Sequence, residues 1–80
     1  MRILSEHSLA NGYKASIFSW NGKYILKIEN GFLEQTYKVS ETEITSVKEL
    51  ENLLLSQKFT MAAKDVFDRM DQNLAPLFDS

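Results

Sequence analysis

The chain has 80 residues, of which 44% are hydrophobic and 25% charged, with a formal net charge of −2. These values are typical of an ordinary globular domain and exclude a disordered chain. There is no cysteine and His7 is the single histidine, which excludes a disulfide framework and disfavours a zinc site. Because a domain of this length has a thin core, we expect it to gain further burial by self-association.

Targeting signals are not recognisable in the sequence. No basic segment followed by an apolar run opens the chain, and the longest uninterrupted apolar run is Leu53-Leu54-Leu55. We therefore expect no signal peptide, no membrane partner and a cytoplasmic location. Residues 1–39 carry a net charge of +2 and residues 40–80 a net charge of −4. The acidic balance disfavours nucleic-acid binding, although the lysines of the first half keep that function open.

The three glycines give the strongest local signal. Each directly follows an asparagine, as Asn11-Gly12, Asn21-Gly22 and Asn30-Gly31. Both residue types tolerate the positive φ angles that tight hairpin turns require. The segments between these pairs are rich in β-branched and aromatic residues. The pattern predicts a four-stranded antiparallel β-meander, with strands at about 2–9, 13–20, 23–29 and 32–39.

Loop lengths predict how these strands pair. Two-residue loops at Asn21-Gly22 and Asn30-Gly31 place opposite charges across the ladder, which is favourable. The pairs predicted from these loops are Lys14–Glu29, Ser19–Tyr24, Lys27–Glu34, Ile28–Leu33 and Tyr24–Tyr37. A three-residue first loop, 10–12, predicts the pairs His7–Ala15, Ser5–Ile17 and Leu4–Phe18, with Ile3 on the opposite, apolar face.

From residue 40 the apolar spacing becomes helical. Ser46 and Glu49 predict a capping box that opens a helix over about 46–57. Thr60 is the candidate cap of a second helix over about 60–74, which Pro76 is expected to end. One long, kinked helix is the alternative. The fold class predicted is α+β, as one domain over 1–80 with the meander at 1–39 and the helical half at 40–80.

No set of residues predicts catalysis or a cofactor. His7 is predicted on the covered face of an edge strand, without a partner that would make it a general base, so a structural role is favoured. Lys64–Asp68 and Asp65–Arg69 have the i, i+4 spacing of solvated helix ion pairs. We expect no catalytic residues, no metal, no cofactor and no small-molecule substrate.

One face of the predicted sheet carries more large apolar side chains than a solvated face needs. They are Leu4, Phe18, Trp20, Ile25 and Phe32, and among them stand Lys14, Lys23, Lys27 and Lys38. Three interpretations are open. A second copy or its helix covers this face; single-stranded bases stack on the aromatic residues while the lysines contact phosphate; or the chain's own helices cover it.

The leading hypothesis is a non-enzymatic, homodimeric interaction protein. It would associate through this sheet face and through a helical stripe around Phe59, Phe67 and Met70. The alternative hypothesis is single-stranded nucleic-acid binding by the same sheet face.

The order of elements resembles a known superfamily. The features that carry the resemblance are the three Asn-Gly turns, the aromatic and lysine-bearing sheet face, and the helix opening at Ser46. Four meandering strands followed by C-terminal helix resemble the Whirly and transcriptional-coactivator superfamily of single-strand-binding proteins, together with small bacterial proteins of similar arrangement. The resemblance covers nearly the whole chain at the level of architecture. It implies a helix-swapped dimer and an affinity for single strands.

Overall fold

The computed structural model describes residues 1–78, so the last two residues of the predicted helical half lie outside the described residues. The elements are β1 (Arg2–Ser8), β2 (Lys14–Trp20), β3 (Lys23–Glu29), β4 (Glu34–Ser40), a short 3₁₀ helix (Glu41–Glu43), α1 (Val47–Leu54) and α2 (Gln57–Phe78). The strands form one antiparallel sheet in the order β1-β2-β3-β4. The predicted α+β meander is therefore confirmed, and two helices follow it.

The central hairpin has the predicted register. Asn21 and Gly22 have φ angles of 52° and 74°, which is the left-handed backbone of a primed two-residue turn. Lys14 pairs with Glu29 and Ser19 with Tyr24, as the loop length predicted. Local turn chemistry thus fixes the alignment of β2 and β3.

The β3–β4 hairpin is offset by two residues from the prediction. The Asn30 side-chain oxygen accepts hydrogen bonds from the amides of Phe32 (3.0 Å) and Leu33 (2.8 Å), and this closes a four-residue loop in place of a two-residue one. The observed pairs are Glu29–Glu34, Ile28–Gln35, Lys27–Thr36, Leu26–Tyr37 and Tyr24–Val39, so the predicted pairs Lys27–Glu34, Ile28–Leu33 and Tyr24–Tyr37 are wrong. An even offset leaves each side chain on its predicted face.

The predicted three-residue loop of the first hairpin is confirmed, because the Leu9 amide donates to the Tyr13 carbonyl at 2.8 Å across it. The predicted pairs of His7 and Ser5 are also found. A β-bulge between Ile3 and Ser5 then changes the alternation, so that Ile3 pairs with Phe18 and Leu4 packs against the core. The predicted places of Ile3 and Leu4 are therefore exchanged.

Both helices cover one side of the sheet, which we call the inner face. The buried core joins strand and helix residues: Leu9, Ala15, Ile17, Leu26, Ile28, Leu50, Leu54, Ala63 and Phe67. Two edge-to-face aromatic contacts, Tyr13–Phe67 and Tyr37–Phe59, hold α2 against the first hairpin and against β4. The helical stripe of Phe59, Phe67 and Met70 packs against this core, with Phe67 buried and Phe59 and Met70 partly buried.

The helix ends differ from the predicted caps. The Ser46 side chain makes no cap hydrogen bond, and the Glu49 carboxylate instead accepts from the amide and hydroxyl of Thr45. Ser56 replaces Thr60 as the cap of α2, because its hydroxyl oxygen accepts from the Phe59 amide at 3.2 Å. Pro76 lies inside α2 rather than ending it. Its missing amide removes one helical hydrogen bond, and only two described residues of α2 follow it.

The chain is more extended than a compact domain of the same length. Its accessible surface is 5752 Å², whereas a compact monomer of this mass exposes about 4,900 Å². Its radius of gyration is 13.9 Å, against roughly 11.6 Å for a compact domain of this length. The excess surface is about 800 Å².

Candidate interaction surface

The side of the sheet away from the helices, the outer face, is an ordered grid of side chains. Alternation along each strand and the cross-strand pairs together define four rows. Starting at the β2–β3 turn, the rows are Trp20–Lys23–Ser40, Ile3–Phe18–Ile25–Lys38, Glu6–Ser16–Lys27–Thr36 and Ser8–Lys14–Glu29–Glu34. Apolar side chains therefore gather at the β2–β3 turn end and charged ones at the opposite end.

The apolar end contains a patch that the helices do not cover. We call Ile3, Phe18, Trp20 and Ile25 the outer patch. Trp20 is 48% exposed and Ile3 46%, while Phe18 is half-buried. None of these three belongs to the core cluster or packs against it. Apolar exposure of this kind on a sheet face is typical of an interaction site.

Three lysines stand within the first three rows. Lys23 and Lys38 flank Ile25, and the ammonium group of Lys27 lies 5.3 Å from the centre of the Phe18 ring, in cation–π contact. The first two rows contain no acidic residue. The outer patch is thus bordered by positive charge on its β3 and β4 side, while Glu6 stands next to it on β1.

The structure brings together only part of the predicted surface. Phe18, Trp20 and Ile25 lie side by side with Lys23, Lys27 and Lys38, while Lys14 lies in the row furthest from Trp20 and pairs with Glu29. Leu4 points to the core, and Ile3 takes its place.

Two predicted patch residues also differ in exposure from the prediction. Ile25 is only 3% exposed, because it sits at the centre of the outer face between Phe18 and Lys38. Phe32 is 97% exposed, but the four-residue loop removes it from the sheet. The surface is therefore narrower than predicted.

Gln35 is a polar residue that acts in packing rather than in chemistry. It is buried on the inner face, where its side-chain amide donates to the Ala63 carbonyl of α2 at 2.9 Å and its oxygen accepts from the Tyr37 hydroxyl at 2.8 Å. Sequence reasoning missed this residue, because its burial depends on α2, which lies against this part of the inner face. A glutamine between apolar strand positions was the one available signal.

His7 lies on the inner face, as predicted. Its Nε2 atom is 3.2 Å from the Glu51 carboxylate of α1, a distance suited to an ion pair, although the angles are not those of a hydrogen bond. The contact links an edge strand to the first helix. This arrangement agrees with a structural role for His7.

The exposed side of α2 carries solvated charge. Lys64 and Asp68 form the predicted ion pair at 3.1 Å, and the hydrogen bond to Asp68 raises the pKa of Lys64 above its ordinary value. Within residues 1–78, Asp65 and Arg69 form no ion pair. Over the same range, no group of three His, Asp or Glu side chains is placed to hold a metal ion.

A second apolar region lies at the end of α2. Leu74, Leu77 and Phe78 are all exposed there, although Leu74 continues the stripe that buries Ala63 and Phe67. A helix of 22 residues is about 33 Å long, while a seven-residue strand spans only about 23 Å. The helix is therefore longer than the strands that cover its apolar side, and its C-terminal end extends beyond them.

A cleft of about 610 Å³ lies between the first hairpin loop and the start of α2, lined in part by Leu9, Leu55, Met61 and Lys64. Its only charged group, Lys64, is already paired with Asp68. The cleft therefore offers no free charged group to a ligand.

In the part of the chain that the structure describes, no helix is both long and apolar enough to cross a membrane. Comparison with known proteins adds no relative: no family model, no curated protein and no solved structure matches this chain.

Proposed function

We propose that this chain is a non-enzymatic interaction protein that forms a homodimer through the outer face of its sheet. The observation that carries the proposal is the outer patch, where Trp20 and Ile3 are nearly half exposed on a face that both helices leave bare. Covering such side chains with a second copy removes their apolar surface from water. The cysteine-free composition suits the reducing cytoplasm, which we propose as its location.

The outer face supports an interface of modest size. It consists of four strands of seven residues, and its accessible apolar side chains are Ile3, Phe18 and Trp20. Such an interface, with few large apolar residues, fits a dissociation constant in the micromolar range rather than an obligate dimer.

Sedimentation equilibrium over a concentration series from submicromolar to several hundred micromolar tests the proposal. We expect the mean mass to rise from that of one chain to that of two, with a midpoint in the micromolar range. A single species with the mass of one chain throughout the series would contradict it. Masses that keep rising beyond two chains would indicate an open, head-to-tail assembly instead.

Single-stranded nucleic-acid binding is the second candidate, favoured by one specific observation. The first two rows of the outer face combine Trp20 and Phe18 with Lys23 and Lys38 and contain no acidic residue. Aromatic rings that stack bases beside cations that contact phosphate are the parts of a single-strand platform. The resemblance to the Whirly superfamily stays a prediction and points the same way.

Fluorescence of Trp20, the only tryptophan, tests this candidate directly. A platform that stacks bases on Trp20 is expected to lose fluorescence on titration with an oligothymidine at low salt, and to recover it as salt rises. Unchanged emission at low salt would exclude stacking on Trp20. Addition of oligothymidine to the sedimentation series shows whether it competes with the dimer for the same face.

A further inference from the structure

We propose that the two copies stack their outer faces about a two-fold axis that runs parallel to the strands, between β2 and β3. The inference rests on the proposed homodimer and adds the arrangement of the interface. Two sheets that stack face to face keep their strands nearly aligned and lie about 10 Å apart. A two-fold axis in the plane between them then runs either along the strands or across them.

An axis along the strands keeps each row facing the same row of the partner. β2 of one copy lies over β3 of the other and β1 lies over β4, so the two ends that carry the outer patch meet and Ile3 faces Lys38. Trp20 then faces Lys23 of the other copy, and Phe18 lies over the position of Ile25. A tryptophan ring against an ammonium group is a favourable cation–π contact.

The same axis places suitable partners opposite the charged residues at the other end of the outer face. Lys14 faces Glu29 of the other copy, and Glu34 faces Ser8. None of the charged side chains of the outer-face grid then stands directly opposite a like charge. The face is therefore complementary to itself, as an isologous interface requires.

An axis across the strands gives a poorer match. It reverses the order of the rows, so that Lys23 faces Glu29, Trp20 faces Lys14 and Phe18 faces Ser16. Trp20 meets a lysine under either axis, so the two axes differ at Phe18, which lies over Ile25 under the axis along the strands and over a serine under the axis across them. Burial of apolar surface favours binding, and the contact between Phe18 and Ile25 therefore favours the axis along the strands.

Single-cysteine variants distinguish the two axes, because the natural chain has no thiol. Equal amounts of Lys14→Cys and ¹⁵N-labelled Glu29→Cys are mixed and treated with a short bis-thiosulfonate crosslinker, and mixed-isotope dimers are counted by mass spectrometry. The matched control mixture is Lys23→Cys with labelled Glu29→Cys. We expect crosslinking in the first mixture and little in the control.

A second pair of cysteine variants is needed in case the substitutions at Lys14 and Glu29 themselves weaken the dimer. Ser16→Cys with labelled Lys27→Cys occupies another facing row and is expected to crosslink as well. Sedimentation of each mixture before crosslinking reports whether dimers are present.

Dimers that crosslink in the control mixture, or in none of the mixtures, would overturn the proposed axis and leave the homodimer standing. Chains that stay monomeric in every mixture, and in the natural protein, would refute the homodimer and the axis together.

Discussion

Replacing Trp20 with glutamate is expected to abolish self-association at micromolar concentration. Truncating an interface tryptophan costs about 2 kcal/mol or more, and a two-fold interface contains the residue twice. The combined loss of about 4 kcal/mol corresponds to a roughly thousand-fold weaker dimer. The introduced carboxylate lies beside Lys23, so the expected loss comes from the apolar surface and the cation–π contact of the tryptophan ring.

Phe32→Glu is the matched control, because it makes the same chemical change at an aromatic residue outside the sheet. Phe32 is 97% exposed in the β3–β4 loop, so its monomer loses no packing. Sedimentation equilibrium of both variants, with circular dichroism to verify folding, gives the comparison. If Phe32→Glu dissociates the dimer and Trp20→Glu leaves it intact, the interface lies at the loop and the exposed end of α2 instead.

Replacing Phe67 with alanine is expected to remove a large part of the folding stability. Phe67 is 1% exposed and makes the edge-to-face contact with Tyr13 at 5.1 Å between ring centres. Phenylalanine-to-alanine changes in a core cost about 3–5 kcal/mol, and the whole domain is worth roughly 4–12 kcal/mol. We expect the melting temperature to fall by at least about 12 °C, or the variant to be partly unfolded.

Val66→Ala serves as the neighbouring control, since Val66 is exposed on the same helix turn and alanine favours helix. Urea unfolding, followed by helical circular dichroism at one fixed protein concentration, measures both variants, because dimerisation makes the midpoint concentration-dependent. A midpoint for Phe67→Ala equal to that of Val66→Ala would show that α2 is not packed on the sheet as described.

Ile25 and Phe18 both lie on central strands, but their neighbours on the outer face differ. Ile25 is flanked by the Phe18 ring and by Lys38 and is 3% exposed, whereas Phe18 is flanked by Ile25 and by Ile3, which is itself 46% exposed. Long lysine stems can cover apolar surface while their charges stay in water. The accessible part of the outer patch is therefore its β1–β2 side, at Ile3, Phe18 and Trp20.

The residue types at the turns made the β-meander predictable from the sequence alone. Asn21-Gly22 adopts the left-handed backbone that its residue types favour, and this two-residue turn sets the pairing of Lys14 with Glu29 without help from the rest of the chain. Because side chains alternate with a period of two, the strand faces followed from the same turns. The sheet positions of Phe18, Trp20 and Ile25 were predictable for this reason.

The tertiary structure decided what short-range patterns leave open. Both sheet faces carry apolar side chains, so the side that α1 and α2 cover depends on how Leu54 and Phe67 fit the inner face in three dimensions. The bulge that turns Leu4 inward and Ile3 outward adds one residue that no turn motif signals. The burial of Gln35 likewise depends on α2, which accepts its hydrogen bond at the Ala63 carbonyl. These features arise from packing between distant segments, whose free energy is absent from any local stretch of residues. The longer Asn30 loop is instead a local alternative, closed by the Asn30 side chain, that competes with the two-residue turn and moves Phe32 off the sheet.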